Sequence, residues 1–122
     1  MHLSGTGKRL SIFCGESDRV GHRSLGRAIV ERAREEGLAG ATVLRGIEGF
    51  GASSRLHTSR LLSLSDDLPI IVQIVDREDR IQAFLPVVDE MLTDGLVTLE
   101  DVDVCLYRGT PRPALDDEEF VP

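Results

Sequence analysis

Between Lys8 and Cys14 the chain alternates: Leu10, Ile12 and Cys14 project to one side, and Arg9, Ser11 and Phe13 to the other. A period of two predicts a β-strand, and Gly15 ends it. The polar stretch "ESDRVG" then reads as a turn. In "HRSLGRAIVERAREEG", Leu25, Ala28, Ile29, Arg32 and Ala33 recur at helical spacing, and Gly37 is placed to terminate the helix. "AGATVLRGIEGFG" predicts a second strand from about Ala41 to Glu48, with glycines at its far end.

The apolar run Leu68–Val75 predicts a third strand, with Pro69 near its start or at an unpaired edge. Asp76 has the position of a helix N-cap, with Glu78 and Asp79 in the first turn. Ile81, Phe84, Leu85, Val88, Met91 and Leu92 make one helical stripe, and Gly95 follows it. Pro86 falls inside this stripe and should bend the helix or make it restart. "LVTLEDVDVCLYRG" predicts the last strand, with Val102, Val104 and Leu106 on one face.

The resulting order, βαββαβ, predicts a ferredoxin-like α+β fold: an antiparallel sheet with two helices on one face. Residues 1–109 form the predicted domain, and residues 110–122 form an acidic tail expected to be mobile. Two helices cover one side of such a sheet, yet several strands are apolar on both sides. Phe13 stands opposite Ile12, Leu44 opposite Val43, and Ile71 opposite Ile70. Burying apolar surface stabilises by roughly 25 cal/mol per Å². A homo-oligomer packed through the open sheet faces is therefore expected.

Composition adjusts this picture in three ways. The 122 residues carry a formal net charge of −7, which disfavours general nucleic-acid binding. Four carboxylates and one arginine in "TPRPALDDEEFVP" contribute much of that charge. No apolar run is long enough to cross a bilayer, and the start of the chain lacks a signal-peptide layout, so a cytoplasmic location is expected. Cys14 and Cys105 sit in apolar runs with no C-x-x-C pattern and are expected to be buried free thiols. Lys8 is the only lysine among the 14 Lys and Arg residues, and arginine presents a planar fork suited to phosphate and carboxylate.

One stretch, "RGIEGFGASSRLHTSR" (45–60), runs against the acidic background with three arginines and one carboxylate, Glu48. Gly46, Gly49 and Gly51 let the backbone turn with its N–H groups exposed, an arrangement able to form an anion-binding nest. Ser53 and Ser54 offer hydroxyls, and Arg45, Arg55 and Arg60 offer charge-assisted hydrogen bonds. The plain alternative is a flexible hairpin extension. The stretch matches neither the Walker loop nor the G-x-G-x-x-G pattern. In "GESDRVGHRSLG", Glu16 and Asp18 follow the first strand, where they could accept hydrogen bonds from a ligand or simply close a turn. His2, His22 and His57 are too scattered to suggest a metal site. No serine lies in a G-x-S-x-G elbow, and Cys14 lies in an apolar strand, so no catalytic group is assigned.

Three separated segments, "GLAGATVLRGIEGFG", "SRLHTSRLLSLSDDLPIIVQIVD" and "DGLVTLEDVDV", resemble a branch of the PII-like superfamily made of small uncharacterised bacterial and archaeal proteins. The resemblance covers about Arg9 to Arg108. It implies ferredoxin-like subunits assembled as homotrimers and a frequent gene neighbourhood with CrcB-type fluoride channels. It also implies that the loop between the second and third strands is the working part, with Gly49, Phe50 and Gly51 similar to a Gly-Phe-Gly run at its start. The segment before the last strand departs from the PII pattern: it has Gly95 but no lysine, and only Arg108 and Arg112 follow the strand.

The expected function is that of a regulatory, non-enzymatic protein. It would bind a small anionic effector at subunit clefts, an adenine nucleotide being the candidate. The candidate ligand residues are Gly46, Gly49, Gly51, Ser53, Ser54, Arg55, Arg60, Glu16 and Arg108, and the loop would act on a partner such as a membrane channel or transporter. The alternatives are a CutA-like structural or metal-responsive trimer without nucleotide binding, and a small phosphometabolite hydrolase.

Overall fold

The computed structural model describes residues 5–51, the backbone of 57–58, and residues 67–109. Four strands form the main sheet: β1 (Gly5–Gly15), β2 (Thr42–Arg45), β3 (Pro69–Asp76) and β4 (Leu96–Val104). Their spatial order is β2-β3-β1-β4, and every neighbouring pair is antiparallel. Two helices connect them, α1 (Leu25–Glu35) and α2 (Glu78–Met91). Each helix carries the chain past one intervening strand, α1 from β1 to β2 over β3 and α2 from β3 to β4 over β1. This is the expected ferredoxin-like arrangement.

The helix-side face supplies the core. Leu10 and Ile12 from β1 and Val72 and Ile74 from β3 pack with Leu25 and Ile29 of α1 and with Ile81, Phe84 and Val88 of α2. All are almost fully buried. The period of two in the strands and the 3.6-residue stripe in the helices thus point the same residues inward.

Helix ends follow from local chemistry. Gly37, at φ 81°, closes α1. Its N–H bonds the Arg34 carbonyl at 3.0 Å, and the Leu38 N–H bonds that of Ala33 at 3.0 Å, a Schellman ending with Leu38 buried beneath it. α2 runs unbroken through Pro86. The proline and Gln82, whose carbonyl its missing N–H would have bonded, both lie on the exposed side, where water can satisfy the group.

Five expectations need correction. Asp76 is not the N-cap of α2; that position is Arg77, with no side-chain capping bond. Asp76 ends β3 fully buried, and its carboxylate accepts the Ala39 N–H at 2.9 Å and the Arg77 N–H at 2.7 Å, with Arg80 Nε at 3.3 Å. β2 stops at Arg45 instead of Glu48, because at Gly46 the chain turns onto Pro69, and Glu48–Gly49 pairs instead with His57–Thr58. Cys105 is exposed, since β4 ends at Val104; Leu106, expected on that strand, is exposed too. The turn after β1 contains a short ribbon, Arg19–Val20 paired with Arg23–Ser24.

The face away from the helices is banded. Register places Leu96, Phe13, Ile71 and Leu44 in one row across all four strands. The next row is Thr98, Ser11, Gln73 and Thr42, and the third holds Glu100, Arg9 and Val75. Arg9 donates to Glu100 from Nε and Nη2, at 3.0 and 2.7 Å. In the single chain Leu44 remains 46% and Leu96 57% exposed, so the two ends of the apolar row are uncovered, while Phe13 and Ile71 between them are half-buried.

Candidate functional site: a cleft at the foot of the glycine-rich loop

Antiparallel order brings the end of β1 and the starts of β3 and β4 to one edge of the sheet. There the Gly15–Asp18 turn is tied to the entry of β3. Glu16 N–H donates to the Leu68 carbonyl at 2.8 Å, and Ser17 N–H donates to Asp67 Oδ1 at 2.7 Å. Asp18 Oδ2 accepts the Gly15 N–H at 2.9 Å, which fixes the turn from inside and agrees with the turn-closing role weighed for it. Gly46 N–H donates to the Pro69 carbonyl at 2.7 Å, and a Cβ at Gly46 would fall 2.9 Å from Pro69 Cγ. Glycine there lets the loop leave β2 flat against the proline. Gly49 lies over the same ring.

These elements enclose a cleft of about 530 Å³. Gly49, Phe50 and Gly51 form one wall. Phe13, Pro69 and Leu96 supply further apolar surface, and Asp18, Asp67 and Asp94 supply carboxylates. Cys14 also lines it. Burial pushes its thiol pKa up to about 11, and the neighbouring charges of Asp18 and Asp67 push in the same direction. At neutral pH this is a protonated, weakly nucleophilic thiol. Among the described residues no lysine or arginine lines the cleft, and no group of three or more His, Cys, Asp or Glu is placed to hold a metal ion.

The residues singled out from the sequence divide into three sets. Gly49 and Gly51 line the cleft and Gly46 anchors its wall. Glu16 sits on the adjoining turn, where its carboxylate accepts from Arg45 Nη1 at 2.7 Å, so the loop's first arginine is paired within the chain. Arg108 follows the far end of β4, which lies beside Gly5 rather than Gly15, and the subunit does not bring it to the cleft. Ser53, Ser54, Arg55 and Arg60 lie outside the described residues. Sequence reasoning passed over Phe13, Asp67, Asp94 and Leu96. The βαββαβ order was the available signal, because it alone places the last residues of the first strand beside the first residues of the third and fourth.

The family model described as "Uncharacterized ACR, COG1993" (DUF190) matches residues 7–104. A UPF0166 protein of Aquifex aeolicus is 39% identical over 97 residues, covering 80% of this chain and 91% of that protein. Another, from Methanocaldococcus jannaschii, is 33% identical over 103 residues, covering 84% and 93%. Among solved structures, CPII, a nitrogen regulatory PII-like protein from Thiomonas intermedia K12 bound to ADP, AMP and bicarbonate, superposes with a TM-score of 0.52 at 21% identity, covering 81% of this chain and 88% of that one. The divalent ion tolerance protein CutA1 of Ehrlichia chaffeensis gives 0.55 at 9% identity, with 88% of each chain covered. At these identities the two structures speak for the fold.

Proposed function

This chain belongs to the DUF190 family, and from that premise we propose that it is a PII-like regulatory protein that binds a small anionic effector at subunit clefts. The observation carrying the reading is the cleft at the foot of the loop between β2 and β3, walled by Gly49 and Gly51. A ligand there touches the backbone that decides where the loop goes. CPII, which shares the fold, holds ADP, AMP and bicarbonate, and an adenine nucleotide is accordingly the effector proposed for this chain.

The assembly is a homotrimer, packed through the open sheet faces. Arg55 and Arg60 grip the anionic group, aided by Ser53 and Ser54, and Arg108 reaches the cleft from a neighbouring subunit. Ligand binding selects one loop conformation, and that conformation docks onto or releases a partner. A membrane channel of the CrcB type is the partner proposed. The chain's part is binding and restraint, with no covalent step. Glycine provides the range of loop conformations, and arginine provides the ligand-dependent restraint.

Isothermal calorimetry of the intact protein with ATP, ADP and AMP tests this. At least one nucleotide should bind. Replacing Arg55 and Arg60 together by alanine should weaken that binding at least tenfold while the assembly stays intact, since charge-assisted hydrogen bonds contribute about 1.5–3 kcal/mol each. Wild-type affinity in the double variant would remove the site assignment. Heat with a divalent cation but with no nucleotide would replace the effector reading by a metal-responsive one.

A further inference from the structure

The exposed side of α1 carries its charge unevenly. At its start, Arg23 and Arg27 both pair with the single carboxylate of Glu31, Arg27 through Nε at 3.0 Å. Arg19, opposite Ser24 in the short ribbon, is exposed and makes no ion pair among the described residues. The first turn of the helix has no acidic residue. The carboxylates of the preceding turn are taken, Glu16 by Arg45 and Asp18 by the Gly15 N–H. At the other end the balance reverses: Arg32 serves both Glu35 and Glu36, at 3.8 and 3.1 Å. Arg34 is already engaged and adds nothing to this balance. The helix thus begins with an excess of guanidinium and ends with an excess of carboxylate.

The C-terminal tail carries the complementary order. Arg112 comes first, and Asp116, Asp117, Glu118 and Glu119 follow. The chain enters this tail beside the end of α1, where Tyr107 Oη donates to the Ala39 carbonyl at 3.4 Å, just past Gly37. Gly109 is the last described residue. The 11 residues of α1 make a helix roughly 16 Å long. From Gly109, an extended chain carries Arg112 up to about 10 Å and Asp116 up to about 23 Å. Both ends of α1 are therefore within reach, in the matching order. Pro111 and Pro113 favour an extended backbone on either side of Arg112.

We infer that the acidic run 116–119 docks on Arg19, Arg23 and Arg27 of its own subunit, with Arg112 beside Glu35 and Glu36. The tail is then a strap along α1 whose grip depends on ionic strength. Exposed ion pairs are individually weak, but the covalent tether gives the run an effective concentration on the order of mM, so a weak network keeps it docked. Neither the cleft nor the loop takes part, and docking is independent of the effector.

The test places a nitroxide at Val121→Cys in the full-length, isotope-labelled protein, with Cys105→Ser removing the exposed thiol. Labelling at neutral pH leaves Cys14 protonated and unmodified. The amides of Arg19, Val20, Arg23 and Arg27 should lose at least half of their NMR intensity at low salt. They should recover most of it in about 1 M salt, where the screening length falls to about 3 Å. Arg19→Gln, Arg23→Gln and Arg27→Gln together should act as salt does, with the core amides of Leu10, Ile12 and Val72 unshifted. Broadening strongest at Asp103 and Leu106, around the exit of the tail, overturns the inference. So does broadening at the start of α1 that survives the triple variant. Undiminished broadening in unmodified isotope-labelled subunits assembled with nitroxide-bearing ones overturns it too, because the strap then crosses to a neighbour.

Discussion

Gly95 shows how one residue positions the site. A Cβ there would fall 2.5 Å from the carbonyl oxygen of Phe13, and the backbone adopts φ 154°. The turn into β4 therefore passes directly over the end of β1, which brings Asp94 and Leu96 to the cleft. Gly95→Ala should cost about 2–3 kcal/mol, measurable as a lowered urea midpoint with an unchanged slope. Cys14 carries a prediction about pH. Its folded pKa of about 11 lies above the ordinary thiol value of 9.0, so over that interval the unfolded chain holds fewer protons than the folded one. Stability from this group is complete below about pH 9 and falls as the pH rises toward 11. Alkylation should accordingly reach the exposed Cys105 first at pH 8, with Cys14 reacting only as the pH approaches its own pKa; peptide mass spectrometry reads both.

At the scale of elements, the Asp76 carboxylate fastens the β3–α2 junction to the segment between α1 and β2. It holds the Ala39 and Arg77 N–H groups and faces Arg80, whose guanidinium also donates to the Gly37 carbonyl. Asp76→Ala would leave buried donors and a charge without their acceptor. Removing one partner of such a pair costs about 3–5 kcal/mol, so equilibrium denaturation should show a loss near 3 kcal/mol or more. Adding Arg80→Met to that variant should restore part of it. This lock was not legible in the sequence, where an aspartate before an acidic first turn has the pattern of an ordinary cap. The strands and helices themselves were legible, because Leu10, Ile12, Ile70, Val72, Ile74, Ile81, Phe84 and Val88 keep the periodicity of their elements and are all buried. The end of β2 was not, because Pro69, distant in sequence, decides where the chain turns away.

At the scale of the whole molecule, the open sheet face carries the account. The row Leu96–Phe13–Ile71–Leu44 borders the cleft through Phe13 and Leu96, so a second copy packed on this face would also add to the site. Two-sided apolar strands made this surface foreseeable, although the composition of the cleft was not. Its carboxylates come from three separate connections of the chain, and the chain's basic stretch drew attention to the loop instead. Ile71→Asp, at a half-buried position on that face, should dissociate the assembly while leaving the helix-side core intact, and nucleotide binding should be lost with it. The most direct measurement is the molar mass of the wild-type protein by light scattering in dilute neutral buffer. The account predicts three times the subunit mass, and a monodisperse species of a single subunit's mass would contradict it.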